Sequence, residues 1–230
     1  MTRAHGGEDE VGERLDSLAA LRSAVAALDV SDPDMLHDLG NEFRAVGADI
    51  AAIAFFGEAI RRGVNDSIYN LGLLHLDRGD PDEALAYFEQ AARAGDPKGA
   101  FMAGQRHEEL GDLELAERWY RGGLEVDDTP FRLARVLRAQ GCYEAAEELV
   151  ASNAERSWEC AVDLALGRGP DDVDAIALLE RHFEAGVLEV GVTLEHLLAQ
   201  RDEAERGRSF LERAAAGGEL SAVHNQSPAT

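Results

Sequence analysis

Apolar residues recur along this chain at spacings of three and four, and between residues 40 and 120 one arrangement appears three times. Gly47, Gly79 and Gly111 stand 32 residues apart. Five beyond each is an alanine (Ala52, Ala84, Ala116), and eight and nine beyond is an aromatic pair (Phe55–Phe56, Tyr87–Phe88, Trp119–Tyr120). Seven before each is another glycine: Gly40, Gly72 and Gly104. The apolar stripes on either side of Gly47, Gly79 and Gly111 have helical period. Glycine tolerates the positive φ of a helix C-cap, and Asp49, Pro81–Asp82 and Asp112 suit the first turn of a following helix. Each copy therefore predicts two helices joined by a tight turn at that glycine. Such a pair cannot bury its apolar face alone, so the copies must stack into a solenoid.

The register runs on past the three clear copies. Gly141 leads Ala146 and Leu149–Val150; Pro170 takes the same place before Ala175 and Leu178–Leu179; Asp202 precedes Gly207 and Phe210–Leu211. The turn positions are thus 47, 79, 111, 141, 170 and 202. A second glycine, sixteen residues after the turn, marks the exit of the second helix at Gly63, Gly95, Gly186 and Gly218, with Asp127 and Ser157 in its place in the third and fourth copies. Small alanine one turn before a large apolar residue lets two helices approach and interdigitate. Before the repeats, Leu15, Leu18, Leu21, Val25 and Leu28 form an amphipathic stripe closed by Ser31-Asp32-Pro33. The expected fold is an all-α solenoid of about six antiparallel helix pairs over 33–218, with a capping helix at 11–30. Residues 1–10 and 219–230 read as disordered tails.

Charge narrows the partners. The chain has 230 residues, with 45 acidic against 22 basic, a formal net charge of −23. That field repels phosphate backbones and anionic lipid, so neither nucleic acid nor a membrane is an expected partner. No run of about 18 apolar residues occurs, and Met1–Glu10 lacks a signal peptide's basic start and apolar centre, which points to the cytoplasm. Cys142 and Cys160 form no CxxC and read as reduced, small core residues.

The stretch YNLGLLHLDRGDPDEALAYFEQAARAGDPKGA, residues 69–100, resembles the tetratricopeptide superfamily and its Sel-like branch, with its LG, its turn glycine, its A…YF and its AA..G in family order. The resemblance is strongest from 33 to 127 and weakens toward 218. It implies a right-handed superhelix whose first helices line a concave groove for a peptide or protein, acting as an adaptor without chemistry or cofactor. Leucine or histidine replaces the first-helix aromatic at His75, His107, Leu137, Leu166 and Leu198.

The groove positions that the resemblance implies include a column ten before each turn position: His37, Tyr69, Phe101, Phe131, Cys160 and Val192. Three successive aromatics either receive apolar side chains of a peptide or pack between neighbouring first helices. Polar inner positions hold Asn41, Arg44, Gln105, Arg135, Arg138 and Arg168; the arginines suit carboxylates of a partner, or pair with acids of adjacent helices. The family's carboxylate clamp is matched at Asn41, Asn70 and Lys98, while His37 and Met102 stand where its remaining lysine and arginine belong. The expected partner contacts are thus Asn41, Tyr69, Asn70, Phe101, Phe131, Arg135 and Arg138.

Catalytic and metal chemistry find little footing. His107-Glu108 begins an HExxH but Gly111 replaces the second histidine, and His75 and His107, in one column of adjacent repeats, read as packed side chains rather than zinc ligands. No nucleophile elbow or phosphate loop occurs. The expected function is a non-enzymatic adaptor that captures a peptide or protein in its groove. Self-association through the C-terminal repeats is the alternative, an apolar outer face on 192–216 being its signature. An enzyme, or a regulatory subunit of one, stands third.

Overall fold

A computed structural model describes residues 19–28 and 32–216. Among them, helix α1 occupies 19–26, twelve further helices follow, and no strand occurs. The helices fall into pairs: α2 (Asp34–Ala45) with α3 (Asp49–Arg61), α4 (Asp66–Asp77) with α5 (Pro81–Arg93), and α6 (Pro97–Leu110) with α7 (Leu113–Gly122). Then come α8 (Thr129–Ala139) with α9 (Tyr143–Asn153), α10 (Trp158–Arg168) with α11 (Val173–Glu184), and α12 (Val190–Ala199) with α13 (Ala204–Ala216). The chain divides into two compact units, Met1–Gly123 and Leu124–Thr230. In each, the second helix of a pair also packs on the first helix of the next, so each unit is a stack of three pairs. The expected tails, Gly218, and the 11–18 part of the capping helix lie outside the described residues.

The turns follow the glycines. Gly47, Gly79, Gly111 and Gly141 have φ between +72° and +82°, a region closed to most side chains, and the second helix starts two residues later in every case. One expected position is corrected. In the fifth pair Gly169, not Pro170, adopts positive φ (+85°), and α11 begins four residues on at Val173. Pro170 follows the cap as a stop, because proline cannot itself adopt the left-handed conformation. Asp202 keeps the left-handed place without glycine, at φ +62°.

The glycine seven before the turn has a different task. A β-carbon at Gly40, Gly72 or Gly104 would lie 2.5, 2.5 or 2.6 Å from the ring of Phe56, Phe88 or Tyr120. Each ring is the second aromatic of its own repeat, so the ring lies flat on the bare first-helix backbone. The five alanines at Ala52, Ala84, Ala116, Ala146 and Ala175 are all buried, as are Phe56, Phe88, Tyr120, Val150 and Leu179. In the fourth pair Ala134 and Val150 replace glycine and aromatic, a slightly larger residue against a smaller one.

At the front, Val25 of α1 is buried among Leu36, Ala54, Phe55 and Ala59, with Leu21 beside them. Glu58, itself buried, receives Arg61 and Arg62, and Arg62 also donates to the carbonyls of Ala26 and Leu28. Burial pushes the Glu58 pKa up, and the two guanidinium bonds outweigh it, leaving the carboxyl below its ordinary value. In the last pair, the exposed residues of α13 are Glu205, Arg206, Arg208, Ser209, Glu212, Arg213, Ala215 and Ala216, while Phe210 and Ala214 are buried. Among the described residues, no large apolar side chain of 192–216 is exposed, so the apolar outer face that would mark self-association is not found there.

Candidate functional site

In the first unit the expected contact residues gather on the first helices. Asn70 donates to Asn41 Oδ1 across α4 and α2 (2.9 Å), and its Nδ2 lies 3.4 Å from His37 Nε2. His37 Nδ1 meets Ser67 Oγ at 2.9 Å. Further along α2, Arg44 pairs with Asp77 of α4 at 2.7 Å. Asn41 and Asn70 are half-buried and bound to each other; Lys98 stands exposed at the start of α6, where its backbone N–H caps onto Asp96.

The aromatic column is shared between core and surface. Tyr69 tilts onto Phe88 with ring centroids 5.7 Å apart, and Phe101 onto Tyr120 at 6.1 Å, just as His37 leans on Phe56 at 5.9 Å. Each first-helix ring thus packs on the deep ring of its own repeat while keeping a partly exposed edge. Burial, with the nearby Asp96 carboxylate, raises the Tyr69 pKa. Its hydroxyl stays protonated and able to donate.

In the second unit Phe131 is half-buried on α8, and the next residue of the column, Cys160, is fully buried, its thiol pKa raised by burial; Cys142, expected in the core as well, is instead exposed at the turn before α9. Arg135 is exposed on α8. Arg138 bridges Glu147 of α9 and Asp163 of α10, both at 2.7 Å. Burial lowers its pKa and the two carboxylate bonds outweigh that. Arg168 pairs with Asp172. Of the inner arginines, Arg44, Arg138 and Arg168 are thus held by carboxylates of the fold, because acids are abundant on the facing helix turns.

The histidines of the missing first-helix aromatic are built into their repeats. His75 stacks on Tyr87 (5.2 Å between centroids), and buried His107 places Nε2 3.0 Å from Glu89. Among the described residues no group of three His, Cys, Asp or Glu is arranged to hold a metal ion.

Sequence reasoning did not find the Ser67–His37–Asn70 network. Its signal was the small residue opening the first helix: Ser67, Gly99, Thr129. A β-carbon at Gly99 would lie 2.6 Å from that of Ala91 on the preceding helix, so only small side chains fit there. Ser67 Oγ faces a histidine as a nucleophile would, yet the residue is 0% exposed, and no substrate carbonyl can reach it.

Residues 66–94 match the family model described as the tetratricopeptide repeat. None of the curated proteins matches the chain. Among solved structures, a tetratricopeptide repeat protein from Parabacteroides merdae ATCC 43184 is 18% identical, over 93% of this chain and 90% of that one, with a TM-score of 0.49. MamA is 12% identical, over 86% of this chain and 98% of its own, with a TM-score of 0.44. The Rap conjugation gene regulator of the plasmid pLS20, in complex with the Phr* peptide, is 16% identical over 97% and 74%, with a TM-score of 0.43. The α4–α5 pair is thus the segment that matches a tetratricopeptide repeat, and the pairs on either side of it are built on the same offsets.

Proposed function

We propose that this chain is a non-enzymatic interaction scaffold of Sel-like tetratricopeptide type, acting in the cytoplasm, which receives a peptide or protein segment on the exposed faces of its first helices. One observation carries the reading: Tyr69 and Phe101 each lean on a buried ring yet remain partly exposed, and Tyr69 adjoins the Asn41–Asn70 amide pair in sequence. Rings anchored from below have little rotamer entropy left to lose on binding, and so act as preorganised apolar anchors. The half-buried amides suit the backbone of an extended segment. In the second unit Phe131 would be the apolar contact. Arg135, and Arg138 by exchanging Glu147 for a partner's carboxylate, would be the polar ones.

The test is affinity capture from the source lysate with wild type beside Tyr69→Ala/Phe101→Ala, with circular dichroism verifying that the variant folds. A protein held by wild type and lost by the folded variant supports capture on the first helices. Equal retention by both removes Tyr69 and Phe101 from the interface.

A further inference from the structure

Exposed large apolar side chains are not scattered over this molecule. Apart from Leu28 and Met35, every one of them among the described residues lies within four positions of a first-to-second-helix turn. In the first unit these are Val46 (77% exposed), Ile50, Leu76 (42%), Leu110 (51%) and Leu115. Isolated apolar residues need no explanation, but recurrence along one edge of a stack does. The edge also has depth. A cavity of about 170 Å³ opens beside the turns of the second and third pairs, with Leu76 at its lip and Leu85, Phe88 and Met102 lining it. Small-molecule sites run to roughly 300–1,000 Å³, so this one is sized for a single apolar side chain.

Its rim is acidic. The segments 44–51, 76–83 and 108–115, which form the three turns, contain nine aspartates or glutamates against two arginines. Glu109 and Arg106 line the cavity, and Arg106 is shared between Glu109 (3.2 Å) and Asp82 (3.4 Å), which is 86% exposed on the adjoining turn. A second copy of a chain with net charge −23 meets repulsion on this edge, whereas a cationic segment gains on approach.

We infer that the turn edge of the first unit is a second docking surface, distinct from the first-helix faces, for a basic amphipathic segment of another protein. One apolar side chain of that segment enters the Leu76–Phe88–Met102 cavity, and flanking lysines or arginines meet Asp82 and Glu109.

A displayed library of random twelve-residue peptides, selected on the purified chain, tests this. The enriched peptides are then titrated by fluorescence polarisation. Selected sequences should carry an apolar residue flanked by Lys or Arg. Affinity should fall at least tenfold for Leu76→Glu and for Asp82→Lys/Glu109→Lys, each verified as folded by circular dichroism, and should stay within twofold for Asn41→Ala on the first-helix face. An absence of enrichment, enriched peptides without basic residues, or peptides insensitive to both edge variants would overturn the inference. Peptides lost by Asn41→Ala alone would support the first-helix faces and remove the edge. A concentration-dependent dimer in sedimentation, broken by Leu76→Glu, would make the occupant a second copy and equally overturn the assignment.

Discussion

At the scale of single residues, the repeat is a contact between a missing side chain and a ring. Gly72 lets Phe88 lie against α4, and a β-carbon there would stand 2.5 Å from the nearest ring atom. Gly72→Ala is expected to destabilise the protein by about 1–3 kcal/mol through overpacking. Adding Phe88→Leu should recover part of that, as Ala134 and Val150 do naturally in the fourth pair. Urea denaturation of the two singles and the double measures the coupling; strictly additive effects would show that glycine and ring are not a unit. Phe88→Ala alone should cost roughly 3–5 kcal/mol. The alanines and aromatics of this contact were legible from spacing. The role of the glycine was not, because a helical glycine and a close approach look alike until the facing ring is placed.

At the scale of elements, turns and anchors decide stability. Asp202 adopts φ +62°, where glycine stands in the better-kept repeats. Asp202→Gly should raise stability by up to about 1 kcal/mol, the left-handed penalty of roughly 1–2 kcal/mol less the extra entropy of glycine in the unfolded chain. Calorimetry checks it, and a lowered Tm would refute the account. The Glu58–Arg62 anchor, which ties the end of α1 to α3, predicts a pH effect. The folded pKa of Glu58 lies below its ordinary value of 4.5, so as pH falls the unfolded chain takes up that proton first. Its contribution is full above the unfolded value and disappears as pH drops through the folded one. Glu58→Gln should therefore destabilise the protein at pH 7, and the gap between variant and wild type should narrow on acidification below about 4.5. A gap that widens at low pH would contradict this. The fifth turn shows where spacing stops being informative at this scale. The repeat register points to Pro170, but proline's locked negative φ leaves the left-handed step to Gly169, one residue earlier.

At the scale of the molecule, charge acts as a whole. With 45 carboxylates against 22 basic groups, the folded chain repels itself more than the expanded chain does. Raising NaCl from about 10 mM to about 150 mM shrinks the screening length from roughly 30 to 8 Å, and the Tm is expected to rise. A falling Tm would mean that the ion pairs, such as Arg138 with Glu147 and Asp163, outweigh the general repulsion. The two units, Met1–Gly123 and Leu124–Thr230, each hold complete helix pairs. Residues 1–123 expressed alone should fold with cooperative, helical unfolding, and a featureless melt would show that the second unit is needed.

Period, helix type, every turn position but the fifth, and the inward set of alanines and aromatics follow from the sequence by itself, because each depends on spacing along one helix and on the φ preference of one residue. The fate of the expected contact residues does not. Tyr69 and Phe101 lean on rings nineteen positions away, Arg138 is held by acids from two other helices, and Asn70 is bound to Asn41. Exposure and pairing are properties of neighbours brought together by stacking, so the tertiary structure alone decided which of these side chains still face outward.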